Sequence, residues 1–216
     1  MTFDFLFYIL RDISVASILV PIACCIIKRK ALNVILRALF VFLILSCLFE
    51  LTGVIFAANK IETYTTENIY TILECSFIIF MYYKIFETGK TKTLILIFYG
   101  FFMLISVYQF LIQKGYHSED SVVNTCEAVF VLILGWSYLF KLMKELKVYD
   151  LREHYFFWLN FGFVLYFSMA FVLFLFYNYL GKLPALFFQY LWSLHLLMNI
   201  TSNLLISRGV WKAQRR

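Results

Sequence analysis

Asp12, Glu50, Glu74, Glu127 and His195 interrupt runs of Leu, Ile, Phe and Val, where an apolar chain has no packing use for a charge. A carboxyl in the middle of a membrane helix costs about 2.5–3.5 kcal/mol, so such groups face a bundle interior or a wet cavity and mark function. Arg11 is the only permanent cation near them. Four carboxyls and one guanidinium cannot all stay ionised in a medium of low dielectric constant; protons or a bound cation must make up the difference. That chemistry suits binding of a small polar, polyhydroxyl or cationic ligand, uptake of protons, or capture of a metal. Trp192 stands one turn before His195 and Asn199 one turn after it. The candidate ligand-binding or proton-responsive set is therefore Asp12, Glu50, Glu74, Glu127, Trp192, His195 and Asn199.

Spacing around these residues points them inward. Glu67, Tyr70, Glu74 and Phe77 recur at three and four residues and share a helix face. Asn124 precedes Glu127 by three and Ser46 precedes Glu50 by four. Gln189, Trp192, His195, Asn199 and Asn203 fall within about 120° of arc on a 3.6-residue helix. The remaining faces are Leu, Ile, Met and Phe, fit for lipid. For Asn199 and Asn203 in particular, hydrogen bonds that tie helices together compete with any ligand role, because lipid supplies no hydrophobic drive between helices.

The elements that must hold these groups follow from composition. Of 216 residues, 63% are hydrophobic and 15% charged, against roughly half and a quarter in soluble domains; mean hydropathy is +0.83. A membrane helix needs about 20 mostly apolar residues. On that criterion the chain is all-α, a single domain of seven transmembrane helices near 6–27, 32–57, 65–86, 93–113, 121–142, 155–179 and 184–207. Charged or polar breaks separate them, such as Lys28-Arg29-Lys30 and Lys114 to Asp120. Asp12, Glu50, Glu74 and Glu127 then lie about two turns from the outer end of their helices and His195 about three, roughly 9–16 Å deep at 1.5 Å per residue.

Lys and Arg divide fifteen to four between the two sides, with Arg11, Lys60, Lys114 and Lys182 forming the minority. The basic side is cytoplasmic, which puts the N-terminus outside and the C-terminus in the cytoplasm. Asp4, Arg11 and Asp12 break the first apolar stretch and no basic region precedes it, so it reads as a retained span and not as a signal peptide. Trp211 at the inner end and Tyr64, Tyr116 and Tyr179 at the outer ends suit an aromatic belt. The net charge of +6 is clustered between apolar runs, with no continuous basic face for nucleic acid.

Several chemistries lack their residues. The last span holds no lysine for a Schiff base, and no HExxH, GxSxG, P-loop or dinucleotide fingerprint is present. Cys24, Cys25, Cys47, Cys75 and Cys126 all sit inside apolar runs, as small buried side chains do. No cofactor is expected. Glu50, Glu74, Glu127 and His195 remain a conceivable zinc set, since carboxylate and imidazole both ligate zinc.

Phe157-Trp158-Leu159-Asn160-Phe161-Gly162 with Leu165-Tyr166-Phe167-Ser168, and Leu191-Trp192-Ser193-Leu194-His195 with Asn199 and Trp211-Lys212, resemble segments of a group of uncharacterised bacterial seven-helix integral membrane proteins often encoded beside sensor histidine kinases. The resemblance covers the last two helices. It implies a multi-pass protein of the bacterial cytoplasmic (inner) membrane that reports to a cytoplasmic kinase or other signalling partner. The expectation is a receptor-like sensor with a polar cavity in its outer half, read out at the basic loops, especially Lys141–Arg152. A small-solute or proton-coupled transporter and an intramembrane metal-dependent hydrolase are the alternatives. A parallel repeat matching Asp12 to Glu127 and Glu74 to His195 would favour transport.

Overall fold

Pro21 decides how the first span is built. Proline has no N–H to give to the carbonyl four residues back, and its ring crowds that turn. The hydrogen-bond ladder is accordingly interrupted at Ile18, which keeps helical dihedrals (φ −62°, ψ −23°), so the span expected over 6–27 is present as two consecutive pieces, α1 (Thr2–Ser17) and α2 (Leu19–Ile27). The structure, a computed structural model, describes residues 2–87, 89–112, 121–145, 151–180, 182 and 184–213. The other long helices are α3 (Val34–Ala58), α4 (Tyr64–Ile85), α5 (Gly89–Ile112), α6 (Ser121–Glu145), α7 (Tyr155–Leu175) and α9 (Ala185–Trp211). The short α8 (Tyr177–Leu180) follows α7, and single 3-10 turns occupy Arg29–Ala31 and Leu151–Glu153. No strand occurs among the described residues.

Helix ends carry their own signals. The Asn33 side chain accepts from the Leu36 N–H at 2.9 Å and caps α3. Its other end closes with Ile61 N–H on Phe56 O at 2.9 Å and Lys60 N–H on Ala57 O at 3.2 Å, the paired bonds of a Schellman ending. Lys60 takes the left-handed conformation there, with φ 56°. The expected 93–113 and 184–207 helices run to Gly89 and Trp211, because a helix continues past its apolar run into charged ends. The expected 155–179 helix stops at Leu175 and resumes as α8.

Five segments are long and apolar enough to cross a membrane: Phe5–Ile27, Val34–Ala58, Gly89–Gln109, Val122–Lys144 and Tyr155–Leu175. The chain is thus a helical membrane protein. Large apolar side chains such as Phe101, Leu104, Phe140 and Leu186 are more than half exposed, a surface tolerable in lipid and not in water. α4 and α9 have the length but carry more polar groups: Glu67, Asn68 and Glu74 on one, His195, Asn199 and Asn203 on the other.

Six helical units form a ring in the order α1/α2, α3, α4, α6, α7, α9, and α9 closes on α1 and α2. α5 lies outside, against α4 and α6. The most extensive pairings join α7 to α6 and α9, and small residues permit them. A Cβ on Gly209 would stand 2.2 Å from Leu159 Cδ1 and 2.8 Å from the Tyr155 carbonyl. On Gly135 it would stand 2.4 Å from Val164 Cγ2. Ser202 Oγ donates to the Gly162 carbonyl at 3.0 Å. Close approach through Gly and Ser is how helices associate where lipid gives no hydrophobic gain.

The basic end of the ring is stitched shut. Lys141 Nζ donates to the last-turn carbonyl of α4, Ile85 O, at 3.1 Å. Lys212 pairs with Glu153, and Asn33 Nδ2 donates to Tyr155 Oη at 2.8 Å. Tyr138 Oη meets His154 Nδ1 at 3.0 Å. Residues 146–150 of the expected read-out loop, like residues 113–120 and 214–216, lie outside the described residues.

Candidate functional site

The ring brings Glu74, Glu127 and His195 to its interior from α4, α6 and α9. Glu74 is buried and accepts from Tyr70 Oη at 3.3 Å. The same hydroxyl lies 3.1 Å from Ser46 Oγ, so α3 and α4 share one hydrogen-bonded node. Tyr70 and Glu74 are one turn apart, which is why they meet. Glu127 is 4% exposed and lies within electrostatic reach of Glu74. Its Oε1 is fully enclosed and has no hydrogen-bond partner. One turn earlier on α6, Asn124 Oδ1 accepts from Thr71 Oγ1 at 2.9 Å, which sets the register between α4 and α6.

The acidic character continues at two exposed positions. Glu50 is exposed and feels the charge of Glu67, also exposed, and the charge of Glu50 reaches Glu74. Seven residues separate Glu67 from Glu74 on α4, about 10 Å along the axis. The four carboxyls thus form a graded path, with Glu67 and Glu50 outermost and Glu74 and Glu127 within. Neither inner carboxyl has an ion-pair partner among the described residues. Tyr166 of α7 completes the far wall, within the field of Glu74, Glu127 and Glu50.

Aromatic contacts link this wall to α9. The Tyr166 and His195 rings are 5.1 Å apart, and His195 is 5.6 Å from Trp192, which stacks on Phe188 at 5.7 Å. His195 Nδ1 is enclosed and unpartnered. An unsatisfied buried polar atom costs about 1–3 kcal/mol. Two of them, on Glu127 and His195, border the same interior.

The expected set is therefore brought together in part. Glu50, Glu74, Glu127, Trp192 and His195 gather around Tyr70 and Tyr166. Asp12 does not join them. It is exposed on α1 and paired with its neighbour Arg11, whose Nη2 is 3.0 Å away. Its exposure also contrasts with the burial of Glu127, its partner in the conjectured repeat. Asn199 is committed elsewhere. Its Nδ2 donates to Ser14 Oγ at 2.9 Å, and Asn203 Nδ2 donates to Ser17 Oγ at 2.8 Å. These two amides clamp α1 to α9, the structural use that competed with ligand binding.

Glu67 and Tyr70, which spacing placed on the Glu74 face, belong to the site, and so does Tyr166, which polarity against an apolar background did not single out; a tyrosine hydroxyl is hard to see among 15 Tyr and 26 Phe. Among the described residues no group of three or more His, Cys, Asp or Glu could hold a metal ion. Glu50, Glu74, Glu127 and His195 share a region without forming a ligand shell. An apolar cleft of about 450 Å³ lies between α7, α8 and α9, lined by residues such as Phe176, Tyr179 and Phe187. It contains none of the site's polar groups. No family model, curated protein or solved structure matches the chain.

Proposed function

We propose that the chain is a receptor-like sensor of the bacterial cytoplasmic membrane. It crosses seven times with its N-terminus outside, and takes up protons or a small organic cation along the acidic path. The observation that carries this reading is the enclosed, unpartnered Glu127 Oε1 beside Glu74, across an interior that His195 also borders unpartnered. Two neighbouring carboxyls without a cation call for a proton or a positively charged guest. The Tyr166 and Trp192 rings supply faces on which an ammonium group can rest. α4 and α9 complete the seven spans because Asn68, Glu74 and Asn203 are buried against the ring and His195 and Asn199 partly so.

A sensor is favoured over a carrier by the state of the two ends. Carboxyls are graded toward one side, whereas the opposite, basic end is tied by Lys141, Lys212, Asn33 and the Tyr138–His154 pair. A carrier has to open both. A change in the charge of the interior would shift α4, α6 and α9 against one another. A cytoplasmic partner such as a histidine kinase would read that shift at the basic rim.

The test uses Trp192 as the sole tryptophan, with Trp136, Trp158 and Trp211 replaced by Phe, in nanodiscs. Acidification and addition of tetramethylammonium are each expected to shift its fluorescence, and Glu74→Gln or Glu127→Gln to abolish the shift. A spectrum indifferent to both probes would overturn the reading. Flux of tetramethylammonium or protons into proteoliposomes, lost in Glu74→Gln, would establish a carrier instead.

A further inference from the structure

We propose that the cleft between α2 and α9 at the basic end binds the phosphate headgroup of an anionic phospholipid. The cleft, about 350 Å³, is lined by Cys24, Ser207, Arg208, Trp211 and Lys212. Arg208, which lines the cleft, and Lys28, which rests on its Trp211 wall, are each held over an indole ring. The Arg208 guanidinium lies 4.1 Å from the Trp158 centroid and the Lys28 ammonium 4.9 Å from that of Trp211. Stacking of this kind fixes a cation while leaving its N–H donors free. Among the described residues neither Arg208 nor Lys28 has a carboxylate partner, whereas Lys212 is paired with Glu153. Ser207 Oγ donates to Asn203 O at 2.6 Å and can still accept. Arg29 and Lys30, both exposed, follow immediately after Lys28. Two fixed, unneutralised cations beside a cleft call for an anion, and a guanidinium matches phosphate oxygens in a planar fork.

The surface leading to the cleft says that the anion carries a hydrocarbon tail. On α9, Tyr190, Leu194, Leu197, Thr201, Leu204, Arg208 and Trp211 alternate at four and three residues and form one stripe. All seven are exposed. From Tyr190 to Arg208 this stripe runs about 27 Å, close to the thickness of the hydrocarbon layer. An acyl chain of the leaflet at the basic end, about 15 Å deep, covers its Leu197–Arg208 half and ends with its headgroup at Arg208. Basic pockets between membrane helices on the cytoplasmic side recognise phospholipid headgroups in this way.

Native mass spectrometry of the full chain, released from nanodiscs of phosphatidylglycerol and phosphatidylcholine, tests the site. Phosphatidylglycerol is expected to be retained and phosphatidylcholine lost. Lys28→Gln with Arg208→Gln keeps a planar amide over Trp158 but removes both charges, and should weaken retention by about fivefold per cation. Lys90→Gln with Lys144→Gln, equal in charge and placed elsewhere, should leave retention unchanged, and thermal unfolding confirms that each variant folds. Equal loss in both pairs would mean diffuse charge attraction and overturn the site. Unchanged retention in the first pair would do the same. Displacement of the lipid by inorganic phosphate at the same concentration would show that free phosphate, and not lipid, is the ligand.

Discussion

Glu127 and Asn199 show what burial alone leaves undecided about a polar residue in an apolar span. Asn199 spends its amide on Ser14 Oγ, and its role ends in holding two helices together. Glu127 has one oxygen with nothing to receive, a cost of about 1–3 kcal/mol with no structural return. Replacing it with an apolar residue of similar volume removes that cost. Glu127→Met should therefore raise unfolding stability by about 1–3 kcal/mol, measured by thermal melts in detergent, while the Trp192 response disappears. A variant that is both less stable and still responsive would assign Glu127 to the scaffold. The acids were legible in the sequence because a carboxyl in a run of Leu and Ile is conspicuous whatever the fold. Tyr70 was legible only through its spacing from Glu74, and Tyr166 was not, because an aromatic body suits lipid and interior equally and only the position of the hydroxyl separates them.

Among the elements, the spans follow from hydropathy and their failures have local causes. Pro21 interrupts the first span without ending it, and its place in the sequence was visible, but the interrupted turn lies at Ile18, on the N-terminal side of the ring clash. Helix order was not legible, since every apolar face suits both lipid and a neighbour. Glycines decide it in part. At Gly209 even one methyl meets the Tyr155 backbone at 2.8 Å, and backbone cannot move aside cheaply. Gly209→Ala should destabilise the α7–α9 pair by about 1–3 kcal/mol, seen as a lowered melting temperature. An unchanged melt would mean that the two helices are not in this close contact. Lys60 argues in the other direction. A non-glycine residue in the left-handed region costs about 1 kcal/mol, so Lys60→Gly should stabilise α3 by a similar amount. A destabilised variant would contradict its φ of 56°.

At the scale of the whole molecule, the ring has one acidic, graded side and one basic, tied side. His154 belongs to the tied side, bonded to Tyr138 at 3.0 Å. Burial holds its imidazole below the ordinary value of 6.5, so the folded protein binds fewer protons here than the unfolded chain. The stability this contributes is complete above about pH 6.5 and is lost progressively as the pH falls from there through the lowered folded value. Melting temperature should therefore decline on acidification from about pH 7, and His154→Gln should lessen the decline, if the pair ties α6 to α7 as described. The most direct test of the central claim is infrared difference spectroscopy on uniformly oriented proteoliposomes, following carboxyl C=O bands as the outer face alone is acidified or given tetramethylammonium. A band change that vanishes in both Glu74→Gln and Glu127→Gln is the expected result. Superimposable spectra for the parent and both variants would contradict an interior that exchanges charge with the outside.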